Sequence, residues 1–406
     1  MLIFGRVASA VLGGAAALIT AAVLGPGRTG TYALVVTVAT LASSLGHLSV
    51  DRSEMVQWKD ETIRLKLAAN APVLGVANGV LAAICGFVVV SLLGRSVVPV
   101  PEGLLWMALA GVPCIGAGRY IQSILFLREQ STLVSASLII SNGLAAGATL
   151  GLALTGHLDL RSAILIWLAD QILLFATLLA FGNMIVGTRS LGVAIRSVSI
   201  GLRYHLGSLS MTSLLTIDIA ILGAMLPTKD VGRYAIAAYL ASIPWLATDS
   251  VVQVALPRLV GTENGAARAT VRILALTSAL VVALCVLGGA ITPFVIPRIL
   301  GAGYAPAVAP LEWLLPGTVA LAFSDPLRTN LLRKDKPWKL SALLVTGAAL
   351  NIVLNILLVP PLQTVGAAVA SSIAYSFVAV GAGVWFFSGY RRRPKGLSAT
   401  LAGTEC

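Results

Sequence analysis

Arginines and carboxylates set inside long apolar runs are the residues of this 406-residue chain whose types could do chemistry. Arg119, Asp218, Asp249, Asp325 and Arg328 interrupt stretches of Leu, Val, Ile and Ala, as do His47, Asp170 and Glu312, while Arg6 and Arg52 stand at the ends of the first two stretches. An ionisable group in a low-dielectric layer is costly and as a rule faces a cavity or a partner. Asp325 and Arg328 are three residues apart, so they share a helix face and can pair. Pro326 between them disturbs the helix and frees backbone groups. Asp325 has a second candidate partner in Arg119, which occupies the corresponding place in the other half of an internal repeat. A pair between halves that breaks and reforms, and a local Asp325–Arg328 pair, are both open. Asp218 and Asp249 lie in successive apolar runs. There a carboxylate can couple movement of a solute to protons or sodium, or be satisfied by a hydroxyl such as Thr216 or Ser250.

The elements that must carry these groups follow from composition. Hydrophobic residues make up 57% of the chain and charged residues 11%, against roughly 45–50% and about 25% in soluble proteins. With a mean hydropathy of +0.93, the chain excludes a water-soluble enzyme, a disordered protein and a disulfide scaffold. What remains is an all-α polytopic membrane protein. A bilayer core about 30 Å thick takes roughly 20 apolar residues per helix. Twelve apolar spans are legible, near 4–25, 31–50, 68–93, 104–127, 132–155, 162–187, 204–226, 231–257, 271–297, 305–332, 339–359 and 364–389. The breakers between them include Gly25-Pro26-Gly27, Pro99, Pro101, Pro227, Gly301 to Gly303 and Pro360-Pro361. Pro72, Pro113, Pro244, Pro293 and Pro316 fall inside spans, where bent helices suit a moving protein. The first run is too long for a cleaved signal and is read as the first span.

Lysine and arginine placement orients the spans. One side collects Arg6, the 51–67 loop, Arg128, Arg189, Arg196, Arg203, Arg258, Arg268, Arg272, the 333–339 loop and the tail, which hold 20 of the 28 basic residues. Arg28, Arg95, Arg161, Lys229, Arg233 and Arg298 are on the other side. This predicts a multi-pass protein with both termini in the cytoplasm. The net charge of +12 then faces the anionic lipids of the inner leaflet rather than nucleic acid.

The chain repeats itself. Gly30-Thr31-Tyr32-Ala33 recurs as Gly232-Arg233-Tyr234-Ala235 at an offset of 202, with Leu24-Gly25 and Leu222-Gly223 ahead of them. Leu127-Arg128 before Ser135-Ala136 recurs as Leu332-Arg333 before Ser341-Ala342, at offsets of 205 and 206. Two parallel six-helix lobes follow, residues 1–190 and 204–390, with the solute site between them. Arg189, Arg196 and Arg203, seven apart, make 191–203 an amphipathic linker on the inner leaflet, and 391–406 a cytoplasmic tail.

Other chemistries lack their signatures. No phosphate-binding glycine loop, nucleophile elbow or zinc-spaced His pair occurs, and His47, His157 and His205 are far apart in sequence. Cys85, Cys114, Cys285 and Cys406 have no metal or disulfide spacing. The outer loops are short, against a membrane glycosyltransferase. No catalytic residue, metal site or cofactor is expected.

Ordered motifs along nearly the whole chain resemble a known family. They are Leu24-Gly25-Pro26-Gly27 with Gly30-Thr31-Tyr32-Ala33, then Asp218, Ile221-Leu222-Gly223, Val231-Gly232-Arg233-Tyr234 and Leu256-Pro257-Arg258, then Leu300-Gly301, Tyr304, Asn351, Asn355 and Gly366-Ala367-Ala368. The set is similar to polysaccharide-transporter (Wzx-type) flippases of the multidrug/oligosaccharidyl-lipid/polysaccharide exporter superfamily. That resemblance implies two six-helix lobes around a central cavity and alternating access. It implies a lipid-linked, undecaprenyl-diphosphate-type oligosaccharide as substrate, with a polysaccharide polymerase or other glycan assembly proteins as partners. Arg6 matches an arginine near the start of the first helix in the related lipid II flippases, and Arg52 lies near another basic position. Arg6, Arg52, Arg119 and Arg328 are then the expected ligands of an anionic diphosphate, and Asp218, Asp249 and Asp325 the ion-coupling or gating groups. The alternatives are a drug or metabolite cation antiporter of the same superfamily, whose cavity wants acids, and a non-transporting scaffold of a glycan assembly complex.

Overall fold

The computed structural model describes the backbone of residues 2–94, 99–184, 187–260, 263–333 and 337–391, with side chains except those of 2–4, 6, 253–269, 330, 332, 333, 337 and 389–391. The Arg6 side chain and the tail beyond residue 391 therefore lie outside the described residues, as do the side chains of Arg258 and Arg333. The elements are α1 (Leu2–Gly46), α2 (Val50–Gln57), a 3-10 turn (Glu61–Ile63), α3 (Arg64–Leu93), α4 (Glu102–Leu109), α5 (Val112–Leu127), α6 (Ser131–Leu154) and α7 (Leu160–Phe181). They continue with α8 (Leu191–Met225), α9 (Thr228–Val260), α10 (Glu263–Ile299), a 3-10 strap (Ala302–Ala307), α11 (Val308–Arg333) and α12 (Pro337–Arg391).

Among the described residues, ten helical stretches are long and apolar enough to cross a membrane. Two of them, Val7–Gln57 and Trp338–Ser388, have 51 residues each, about 76 Å of straight helix against a core of about 30 Å. Each reverses at one residue, and the first also turns between α1 and α2. Gly25 takes φ 70° and ψ 170°, conformations closed to a side chain, and Pro26 restarts the helix. Gln363 takes φ 52° just after Pro360 and Pro361. The chain folds back there, since a Cβ on Gly366 would strike the Leu358 carbonyl. Counting each as a hairpin gives twelve crossings, as the hydropathy pattern predicts, but the two expected loops are single-residue reversals.

Two other expectations shift. The fourth crossing is α4 followed by α5, interrupted at Ala110-Gly111 ahead of Pro113. Segment 191–203 is not set apart from the next crossing. It is the start of α8, a 35-residue helix about 52 Å long, because no proline interrupts the chain before Pro227. The Ser190 hydroxyl caps it, accepting from Val193 N at 3.4 Å. At the start of α7, Asp159 accepts from Ser162 N at 2.7 Å while Ser162 Oγ returns to Asp159 N at 2.8 Å. These bonds hold the Asp159 carboxyl below the usual carboxylate range.

The two six-crossing lobes, α1–α7 and α8–α12, are not packed alike along their length. At the end holding the Gly25 and Pro227 reversals, one core runs through both lobes, from Leu34, Val35 and Leu105 to Tyr234, Leu300 and Tyr304. At the opposite, basic end the cores are separate. Leu67, Tyr120, Ile124 and Leu178 fill one lobe, and Leu214, Leu327, Leu344 and Phe386 the other. The lobes thus form a V closed at one end and parted at the basic end.

The repeated motif makes the closure. A Cβ on Gly30 would overlap the Thr228 carbonyl and sit 2.9 Å from Gly232 N, and one on Gly232 would overlap Pro26 O and sit 2.8 Å from Gly30 N. The two glycines of the repeat therefore face each other across the lobes, backbone to backbone, as small residues allow in membrane helices. Gly223, the counterpart of Gly25 in the repeat, is still helical. The reversal falls at Leu226-Pro227, and Gly223 instead admits the Leu34 side chain.

Candidate functional site

Where the lobes part, the chain between α1 and α2 turns through Leu48 and Ser49, both at positive φ (46° and 49°). Non-glycine residues adopt this region at a cost, and such strain collects at functional sites. Two contacts hold the turn. The buried Tyr120 hydroxyl donates to the His47 carbonyl, and Gly201 of α8 leaves room for the Leu48 and Ser49 carbonyls. The turn presents His47 beside Asp51, with Nε2 3.6 Å from Oδ1, and its ring 5.3 Å from that of Tyr120.

Arg119, one residue before Tyr120 on α5, opens on the same place. It lies within electrostatic reach of His47 and Asp51. It has no hydrogen bond or ion pair among the described residues, and it is only partly buried. His205, from α8, also acts on His47, and its Nδ1 is buried without a partner. Three elements thus bring an unpaired guanidinium and two imidazoles together at the mouth between the lobes. The histidines, remote in sequence, were not legible as a site. The signal that could have found them is their placement at the basic ends of spans two and seven, facing across the mouth. Arg52 is near but outward, its side chain 48% exposed and its Nε 3.7 Å from Asp51 Oδ2.

The other expected ligands are elsewhere. Arg328 pairs with Asp325 inside the second lobe, with side chains 12% and 6% exposed. Trp245 Nε1 donates to the same carboxylate at 2.6 Å, and Met211 Sδ lies 2.8 Å from Arg328 Nη1. The charges that bear on Asp325 are Arg328 and Asp249, so in this conformation the local pair forms and the Arg119–Asp325 pair does not. The three-residue spacing brings Arg328 within reach without any movement of the lobes. Asp249 is on the same side of that lobe.

Asp218 is 2% exposed and belongs to a neutral network. The Tyr234 hydroxyl donates to it, as does Ser371 Oγ at 3.3 Å, and Asn351 Nδ2 reaches Ser371 Oγ at 3.3 Å. Asn355 bonds Asn351 in turn. No lysine or arginine takes part among the described residues. Thr216, the hydroxyl expected to satisfy Asp218, instead bonds the Thr212 carbonyl at 2.8 Å.

A two-lobed helical V of this kind is the fold of the multidrug/oligosaccharidyl-lipid/polysaccharide (MOP) transporters. The structure is similar to the inward-facing form of a multidrug-resistance MATE transporter, with TM-score 0.73 and 15% identity over 99% of this chain and 100% of that one. It is similar to the lipid II flippase MurJ in an inward closed conformation, with TM-score 0.75 and 14% identity over 97% and 88%. To an outward-facing MATE transporter the TM-score is 0.67, at 16% identity over 96% and 94%. No curated protein matches the chain in sequence. Residues 19–309 match the polysaccharide biosynthesis protein family, and the chain belongs to that family.

Proposed function

We propose that this protein is a flippase, moving a lipid-linked oligosaccharide of the undecaprenyl-diphosphate type across the bacterial cytoplasmic membrane for export of a cell-surface polysaccharide. The observation that carries the reading is the unpaired, partly open Arg119, grouped with His47 and His205 at the parted end of the lobes. A diphosphate accepts paired N–H donors and offsets the cost of a lone guanidinium at the membrane face. Arg52, with its outward side chain, and Arg6 extend the basic field by which the head group is drawn in. The polyprenyl tail stays in the bilayer at the gap between lobes. Basic residues put the open end in the cytoplasm, so the structure stands for the loading state, and rocking about the closed end releases the head group outside.

An antiporter for organic cations needs free acids in the cavity. Here Asp325 is neutralised by Arg328 and Asp218 is enclosed in its own hydrogen-bonded network. The Asp218 network, a carboxyl without a counter-cation, is the proposed coupling site, where a proton or sodium ion is exchanged as the lobes rock. The fold's relatives and the family both support this reading, MurJ being described as a lipid II flippase.

The test uses purified protein in sealed vesicles, with a labelled polyprenyl-diphosphate oligosaccharide on one leaflet and its arrival on the other recorded. Losing a charge-assisted contact of about 1.5–3 kcal/mol predicts that Arg119→Ala lowers apparent affinity by roughly 10–150-fold. Asp325 variants that fold should keep it. Protein-independent movement, or unchanged affinity in Arg119→Ala, overturns the reading.

A further inference from the structure

The short helix α2 carries a carboxylate that the reading above does not use. Glu54 is 1% exposed, and neither of its oxygens has a hydrogen-bond partner among the described residues. Ser123 Oγ on α5 lies beside it but is bonded to the Asp51 carbonyl at 3.3 Å. Gln57, one turn on and 4% exposed, is fixed by its amide nitrogen. Its Nε2 donates to Ser53 Oγ and to Ser197 Oγ of α8, both at 2.9 Å. That leaves Gln57 Oε1 buried with no partner. Glu54 and Gln57 are three apart and therefore neighbours on the helix surface. What is missing at this place is of one sign, since three acceptor oxygens on one face share at most the Ser123 hydroxyl as a donor.

An isolated buried carboxylate costs several kcal/mol unless it is neutralised. We infer that Glu54 with Gln57 Oε1 forms a site for a small monovalent cation, a proton or a sodium ion, at the joint between α2 and α8. The joint has mechanical importance. The start of α8 is fastened to the first lobe through Gln57–Ser197 and Gly201, while its remainder is the first crossing of the second lobe. An occupied site holds α8 on α2, and an empty one leaves a naked carboxylate that favours hydration and loosening of the joint. The site stands apart from the Asp218 network, and it does not depend on what the protein transports. The titratable groups that bear on Glu54 are Asp51 of its own helix and Tyr120 of α5, and around them His47 from the turn gathers Asp51, Arg52, Arg119 of α5 and His205 of α8.

The experiment follows the thermal midpoint of the full chain in lipid nanodiscs in two arms. One acidifies from alkaline to mildly acidic pH in choline chloride, and the other replaces choline by sodium at fixed alkaline pH. Wild type should be stabilised in one arm, by linkage to cation binding, and the responding arm names the cation. In an Asp218→Asn background, which removes the proposed coupling carboxylate, the shift should persist, and adding Glu54→Gln should abolish it. If Glu54→Gln does not yield folded protein, Glu54→Asp, which withdraws the carboxylate by one methylene, should need about tenfold more cation for half the effect. A wild type flat in both arms overturns the proposal. So does a shift that survives Glu54→Gln in the Asp218→Asn background, a Glu54→Asp response equal to wild type, or a shift lost wholly in Asp218→Asn.

Discussion

Tyr304→Phe isolates what keeps the V closed. Tyr304 is 0% exposed and sits in the 3-10 strap of the second lobe. Its hydroxyl reaches into the first lobe, 3.0 Å from the Ala21 carbonyl and 2.8 Å from Thr29 Oγ1. The strap itself is tied to its own lobe by Arg233, whose Nε donates to the Gly303 carbonyl at 2.8 Å and whose Nη1 meets Asp230 at 2.8 Å. Removing the hydroxyl keeps the ring packing and leaves Thr29, 4% exposed, buried with a lost partner. Such a loss costs about 1–3 kcal/mol, and the cost falls on the closed end alone, because water can satisfy Thr29 once the lobes part there. The population open at that end should rise by roughly 5–150-fold. An open state held at about 1% thus becomes roughly 5–60% of the molecules. The exposed Arg28 and Lys229, replaced by spin-labelled cysteines in a chain freed of Cys85, Cys114, Cys285 and Cys406, report it as a new long distance by double electron–electron resonance. Tyr120→Phe is the control. Its lost bond to the His47 carbonyl lies within one lobe, so it should lower stability without a new distance. A Tyr304→Phe distribution identical to wild type would refute the latch.

Gly30→Ala acts at the same seam without a hydroxyl. Its methyl group meets the Thr228 carbonyl and Gly232 N, both backbone, so no side chain can yield, and overpacking of about 1–3 kcal/mol should raise the same long distance. Unchanged distances would show that the helices separate freely. Asp325→Asn leaves Arg328 buried and uncompensated and should destabilise by about 3–5 kcal/mol. The double variant Asp325→Leu, Arg328→Met should lose much less. Equal thermal midpoints for the two would refute the paired reading.

Much of the architecture was legible because a bilayer imposes a simple rule, about 20 apolar residues per crossing. Twelve spans, the two lobes and the repeated Gly-x-Tyr-Ala element could be read from hydropathy and offsets. Where the chain turns could not. Gly25 and Gln363 reverse it within one residue, and local composition announces a breaker without saying how sharp it is. Arg119 was legible as a lone charge in a span. Glu54 was not, because α2 with Asp51 and Arg52 looks like a solvated loop until α5 and α8 close over it.

The sequence by itself determined that this chain crosses a membrane, how often, and which buried charges need an explanation, since the cost of exposing apolar surface or burying charge is a property of each residue. Which charges meet was decided by tertiary structure. Asp325 found Arg328 through its own helix, an encounter that spacing already permits. The gathering of Arg119, His47 and His205, and the meeting of Gly30 with Gly232, depend on how two lobes dock. Docking is fixed by shape at contacts some 80 to 200 residues apart, which no local pattern encodes.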